Sequence, residues 1–176
     1  SVERRTGRRR RPFRPGGMTS GSETQVVTFG LGDEVFAVSV GMVREILDYA
    51  PVFRVPQGPE WLLGLTELRG AGIPTVDLRT RMGLPVQEPT LATRILIVDL
   101  TLADRNVALG LVVDRVLAVS AFPADRIEPA PDIGMRWRSD YIEGVVRQDD
   151  GFVILVNLAA FFSSEDASLL PGLQAA

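Results

Sequence analysis

The sequence predicts an all-β protein built from two similar small units packed against each other, and three observations carry that reading. Apolar residues recur with period two over short stretches, Val27, Phe29 and Leu31 or Phe36, Val38 and Val40, which is the alternation of half-buried strands. Turn signals rich in glycine and aspartate separate the stretches: Gly32-Asp33-Glu34, Gly70-Ala71-Gly72 and Asp149-Asp150-Gly151. A pattern then repeats. Trp61-Leu-Leu-Gly64-Leu65 is echoed by Tyr141-Ile-Glu-Gly144-Val145, and Val76-Asp77-Leu78 by Val156-Asn157-Leu158, with the same interval from Gly64 to Leu78 as from Gly144 to Leu158.

The echo extends upstream. Phe36-Ala37-Val38 resembles Val107-Ala108-Leu109, and Met42 to Leu47 resembles Val112 to Leu117, so the segments fall in one order in both halves. Each half is too short to bury much core alone, which predicts a duplicated chain whose halves share a core.

Taken in order, a strand is expected from Thr24, a turn at Gly32 to Glu34, and a second strand through Phe36 to Val40. Val43, Ile46 and Leu47 then shift to spacing three and four, which predicts a short helical turn with Arg44, Glu45 and Asp48 towards solvent. Pro51, Pro56 and Pro59 break the next stretch into an irregular strand around Phe53 and Val55. The central hairpin turns at Gly70 to Gly72, after which Asp77 is placed to cap a short helix ended by Gly83-Leu84-Pro85. Val86 to Thr93 reads as a linker. Arg94 to Leu100 is a strand, Thr101 to Asn106 its turn, and Val107 to Val113 the return, with Val116 to Val119 running on. Pro129 and Pro131 stiffen a loop, the hairpin of Ile142 to Arg147 and Phe152 to Val156 follows, and Leu158 to Phe162 predicts a last short helix.

Composition narrows the chemistry. The chain has 176 residues, 45% of them hydrophobic, enough for a real core. No apolar run approaches the ~18 residues of a membrane-spanning helix. There is no histidine, no cysteine and no lysine, since every basic residue is arginine. Nucleophile–histidine pairs, histidine or cysteine metal ligation, a phosphate-binding lysine and Schiff-base chemistry are thereby excluded within this chain. Asp77, Asp99 and Asp114 follow apolar strands, but no acid/base motif surrounds them, and capping of turns is the expected role. No catalytic residue, metal site or cofactor is predicted.

Residues 1–23 are expected to be a disordered leader. Ser1 to Gly17 carries seven arginines against Glu3 while the whole chain has a net charge of −3, so a basic arm precedes an acidic body. The composition breaks at Met18, which suggests either a start at that residue or an extraneous remnant before it. Only Phe13 accompanies the arginines, so no stacking platform for single-stranded nucleic acid is present.

The segments LGDEVFAVSV, VREI, GLTELRG, IPTVDL, LGLVVDRV, IEPAP and FVILVNL resemble, in order and spacing, the CheW family of chemotaxis adaptors, over about Thr24 to Phe162. That resemblance implies two five-stranded SH3-like barrels packed side by side with short helical turns, the first over about 24–85 and the second over about 94–158, with exchange of terminal segments allowed. Residues 163–176 are then a tail. It also implies a cytoplasmic, non-catalytic scaffold with two protein partners and no small-molecule substrate: the cytoplasmic hairpin tip of a chemoreceptor and the CheW-like regulatory domain of a histidine kinase. Membrane contact is only indirect, through receptors. The family's receptor groove maps to Val43, Glu45, Ile46 and Arg69, and its kinase contact to Val113, Val116, Ile127, Glu128 and Ile133. Three departures stand out, one of them Glu67 where the family usually has asparagine before Leu-Arg-Gly. Glu128 and Ile133 occupy positions where the family often has an arginine and an aromatic, so a kinase contact built on those anchors loses both. Alternatives from the same residues are a CheW-like module of another system, such as pilus motility, or of a longer kinase, and a nucleic-acid-binding protein using the basic arm, which the acidic body disfavours.

Overall fold

The structure, a computed structural model, describes residues 23–129, 141–149 and 151–162. Strand β1 (Glu23–Leu31) pairs antiparallel with β2 (Glu34–Ser39) across the two-residue turn Gly32-Asp33. A 3-10 turn, Val40–Met42, is capped by the Ser39 hydroxyl, which accepts from the Gly41 N–H, and leads straight into β3 (Val43–Asp48). This corrects the helical turn expected over Val43 to Leu47. The register of β3 shifts between Val43 and Glu45, and that bulge in a paired strand produces the spacing that mimics a helix.

The central hairpin is β4 (Leu62–Leu68) and β5 (Ala71–Asp77). Its turn is Arg69-Gly70, with φ of 51° and 84°, and Gly72 lies within β5 rather than in the turn as expected. Two positive φ values are what a two-residue hairpin turn with the right twist requires. Asp77 caps α1 (Leu78–Arg81) by accepting from the Arg79 N–H at 3.0 Å, and Gly83, φ 79°, ends it as predicted.

β6 (Arg94–Leu102) and β7 (Arg105–Val113) form a longer hairpin than expected, turning on Ala103-Asp104 alone. β8 (Arg115–Pro123) follows, then a 3-10 turn at Ala124–Arg126, β9 (Ile127–Glu128), β10 (Ile142–Gln148) and β11 (Gly151–Val156). The last short helix is a 3-10 turn, Leu158–Phe161. Ile133, the leader and the tail lie outside the described residues.

Two sheets result, one ordered β3-β6-β7-β5-β4 and the other β8-β1-β2-β11-β10-β9. Each takes its leading hairpin from one half of the chain and its trailing strands from the other. Parallel pairing makes both joins: Thr75 beside Gly110 and Leu155 beside Ala37. With β1 to β5 matched to β6, β7, β8, β10 and β11, the two orders are the same, β9 being an addition at one edge.

The registers confirm the match residue by residue. β4–β5 shifts between Leu62 and Gly64, and β10–β11 between Ile142 and Gly144. Leading hairpins match differently from the sequence echo: Ala37 corresponds to Gly110, not to Ala108, because Gly110 lies two residue pairs further from its hairpin turn than Ala37 does. Val43 then corresponds to Val116, Glu45 to Ala118 and Ile46 to Val119.

Burial follows this plan. Val26, Ala37, Phe122, Val146, Val153 and Leu155 fill one sheet, and Ile73, Ile95, Ile97 and Ala108 the other. A larger cluster joins them, with Phe29, Phe36, Leu78, Leu96, Leu109 and Leu111 among its fully buried members. At its edge α1 meets the final 3-10 turn: Arg81 donates to the Phe161 carbonyl, its guanidinium 5.2 Å from the Phe162 ring centre, and Trp61 meets the same ring edge-on at 5.6 Å.

Candidate interaction surfaces

The hydrogen-bonded register makes the edge strands β3 and β8 equivalent, and at the first of the two corners a hairpin turn reaches the strand. At the first, β3 presents Ile46 to solvent, 44% exposed, while Val43 packs half-buried on the shared core. Arg69 reaches from the β4–β5 turn to form an ion pair with the half-buried Glu45. The structure therefore brings Glu45 and Arg69 into contact beside Val43 and Ile46. Further charge pairs frame the strand, Arg44 with Asp99 and Arg94 with Asp48, both at 3.6 Å. Pairs this exposed contribute little to stability, about 0–1 kcal/mol each. Their effect is to leave one apolar strip among fixed charges.

The second corner has the same backbone and other side chains. Val116 packs half-buried on the shared core as Val43 does, but Leu117 and Val119 stand out at 47% and 68% exposed. From Val116 to Phe122 the strand carries no charge, although β8 is the edge of its sheet. An uncharged, apolar edge strand is a template for association unless a partner covers it. Val113, in contrast, is fully buried in the shared core and offers a partner no surface. Ile127 packs half-buried against its barrel's interior, and Glu128 forms an ion pair with Arg147 at 3.2 Å.

Sequence reasoning missed Leu117, Val119, Phe53 and Phe152, all exposed apolar residues. An apolar strand reads alike whether it is central or at an edge, so only the absence of charge from Val116 to Phe122 could have marked β8.

Of the three carboxylates, Asp77 and Asp114 serve the fold at strand ends, whereas Asp99 lies within β6. Asp114 accepts from the Gly32 N–H and pairs with Arg79, both at 2.6 Å, clamping the β1–β2 turn to α1. Asp99 pairs with Arg44, and Asp77 caps α1. Burial pushes the Asp77 carboxyl above its ordinary value, against the lowering pull of the Arg79 N–H and guanidinium. Among the described residues no three metal-ligating side chains converge, and no helix is long and apolar enough to cross a membrane.

Comparison with known proteins gives the following. The family model described as CheW-like domain matches residues 25–166. The chemotaxis protein CheW of Rhizobium meliloti strain 1021 is 32% identical over 149 residues, covering 85% of this chain and 93% of that protein. Its namesake in Klebsiella aerogenes is 32% identical over 157 residues, covering 88% and 89%. The crystal structure of the scaffolding protein TtCheW from Thermoanaerobacter tengcongensis superposes with a TM-score of 0.72 at 27% identity, covering 85% of this chain and 94% of that one.

Proposed function

The chain belongs to the CheW-like domain family, and from that premise we propose that it is a non-catalytic chemotaxis adaptor, holding a chemoreceptor's hairpin tip at the first corner and a histidine kinase's regulatory domain at the second. One observation carries the division of labour: two corners on one backbone plan, the first apolar and fenced by charge pairs, the second apolar and uncharged.

A helical hairpin tip presents an apolar stripe with polar flanks, so its receiving surface needs an apolar strip and a polar group that sets register. Val43 and Ile46 supply the strip. Arg69 supplies the anchor, its fork aligned by Glu45 and its side chain 70% exposed. A second barrel-like protein instead presents flat apolar surface, which suits Leu117 and Val119 with Val116 beneath them. Glu128 extends the kinase side towards β9. A cytoplasmic location follows from the same reading.

The test is co-purification from the native cell with wild type and Arg69→Gly. Wild type is expected to recover a chemoreceptor and a histidine kinase, and the variant the kinase alone. Recovery of neither by wild type refutes the adaptor reading.

A further inference from the structure

One side of β8 is open, and backbone hydrogen-bonding groups point out of it. The strand pairs with β1 on its other side, and among the described residues no strand lies beyond it. The Thr28 hydroxyl donates to the Ala118 carbonyl at 3.1 Å, so the Ala118 carbonyl faces β1. Alternation along the regular stretch Ala118 to Phe122 then turns the N–H and C=O groups of Val119 and Ala121 to the open side. Val119 and Ala121 are exposed, and Ser120 between them is half-buried.

The other sheet edges are closed to a docking strand. Along β3 run three ion pairs, Arg44 with Asp99, Glu45 with Arg69 and Asp48 with Arg94, which an added strand would strip of water. β4 is bridged by Phe53, whose N–H and C=O both bond Leu65. β9 is two residues long, and its Glu128 is paired to Arg147. β8 has none of these protections. Its flanks, Asp114-Arg115 and Asp125-Arg126, each carry one charge of either sign.

We propose that β8 pairs antiparallel with β8 of a second copy of this chain, about a two-fold axis at Ser120. The strip selects this occupant by the charge it lacks. A strand bearing charges would bury them against Val116 to Phe122 with no counter-charge, whereas a second β8 brings none. Shape agrees with charge. The two-fold sets Val119 opposite the second copy's Ala121, so a branched side chain meets a small one, and the outward backbone groups of the two residues bond each other. Pro123, which has no N–H, ends the ladder opposite Leu117. Both flanks are neutral, so the approach brings no excess of like charge. One strand pair is a small interface, which makes the dimer weak, with a Kd on the order of 10–100 µM. The inference does not rest on the adaptor reading; where that reading holds, the dimer and the kinase domain exclude each other at β8.

The experiment is sedimentation of the full chain alone, so its result is separate from the recovery of a receptor or kinase. Wild type is expected to pass from monomer to dimer between about 1 and about 300 µM. Val119→Arg and Ala121→Pro are expected to lose the dimer over the same range. Val119 is 68% exposed and the N–H of Ala121 faces outward, so neither change removes a contact within the fold. The chain has no cysteine of its own, and Val119→Cys therefore carries a single thiol. A short bis-maleimide should link that variant into a covalent dimer and leave Ile46→Cys, at the equivalent position of β3, unlinked. Wild type that stays monomeric to about 300 µM overturns the proposal. A dimer retained by Val119→Arg and Ala121→Pro, or equal cross-linking of the two cysteine variants, overturns it as well.

Discussion

Arg69 and Asp149 sit at equivalent positions of the two hairpin turns with the same φ, 51°, and opposite charge. Glu45, which Arg69 holds, corresponds to Ala118, and the fenced strip of β3 corresponds to the uncharged strip of β8. The comparison separates what the fold needs from what it leaves free. Bulges, parallel joins and buried residues recur in both halves because the backbone depends on them. Charges at the corners do not recur, so the halves have diverged where folding imposes no constraint.

The largest effect should come from the glycines at the bulges. A Cβ on Gly64 would overlap the Phe53 carbonyl, which the Phe53–Leu65 bridge holds in place, whereas one on Gly144 meets the Ile127 side chain at 2.6 Å and the nearest backbone atom, the Glu128 carbonyl oxygen, only at 3.1 Å. Gly64→Ala should cost about 3 kcal/mol and Gly144→Ala about 1–2 kcal/mol in urea unfolding. Equal costs would break the comparison.

Next comes the clamp, present in one half only. Asp114→Ala leaves the Arg79 side chain, 12% exposed, without its carboxylate and should cost about 2–3 kcal/mol. The matching corner relies on the exposed Ser39 cap, and Ser39→Ala should cost about 0.5–1 kcal/mol.

Much of the fold was legible because its signals are local. Gly64 and Gly144 mark the repeat, and Asp77 marks the cap of α1. Other features have no local signal. Ala37 beside Leu155 and Gly110 beside Thr75 are long-range parallel pairs, and nothing near Ala37 or Gly110 announces them. β3 read as helical because its bulge moves Ile46 into step with Val43. Of the candidate site residues, Val43, Glu45, Ile46 and Arg69 fall together, since strand and turn are neighbours in space, whereas Val113 turned inward one residue before the chain bends at Asp114.

A smaller effect sharpens the contrast between charge and backbone at the first corner. Arg69 occupies a left-handed conformation that glycine adopts without strain, so Arg69→Gly should range from neutral to about 1 kcal/mol more stable after loss of the exposed ion pair. Unfolding at lower urea would contradict this.

The smallest effect is pH-dependent. A raised Asp77 carboxyl means that the folded state holds this proton more tightly than the unfolded state. Its contribution is fully present below the unfolded value and is lost as pH rises through the folded value. Asparagine caps a helix about as well. Asp77→Asn should therefore gain stability relative to wild type, by up to about 1 kcal/mol, as pH rises from acid to neutral. A gap that narrows over that range would contradict the sign.

The most direct test of the central claim, that equivalent corners serve different partners, is to measure the affinities of Arg69→Gly and Val119→Arg for the receptor hairpin and the kinase regulatory domain side by side. The account predicts that the first variant loses the receptor and keeps the kinase, and that the second does the reverse. Loss of the same partner by both variants would contradict it.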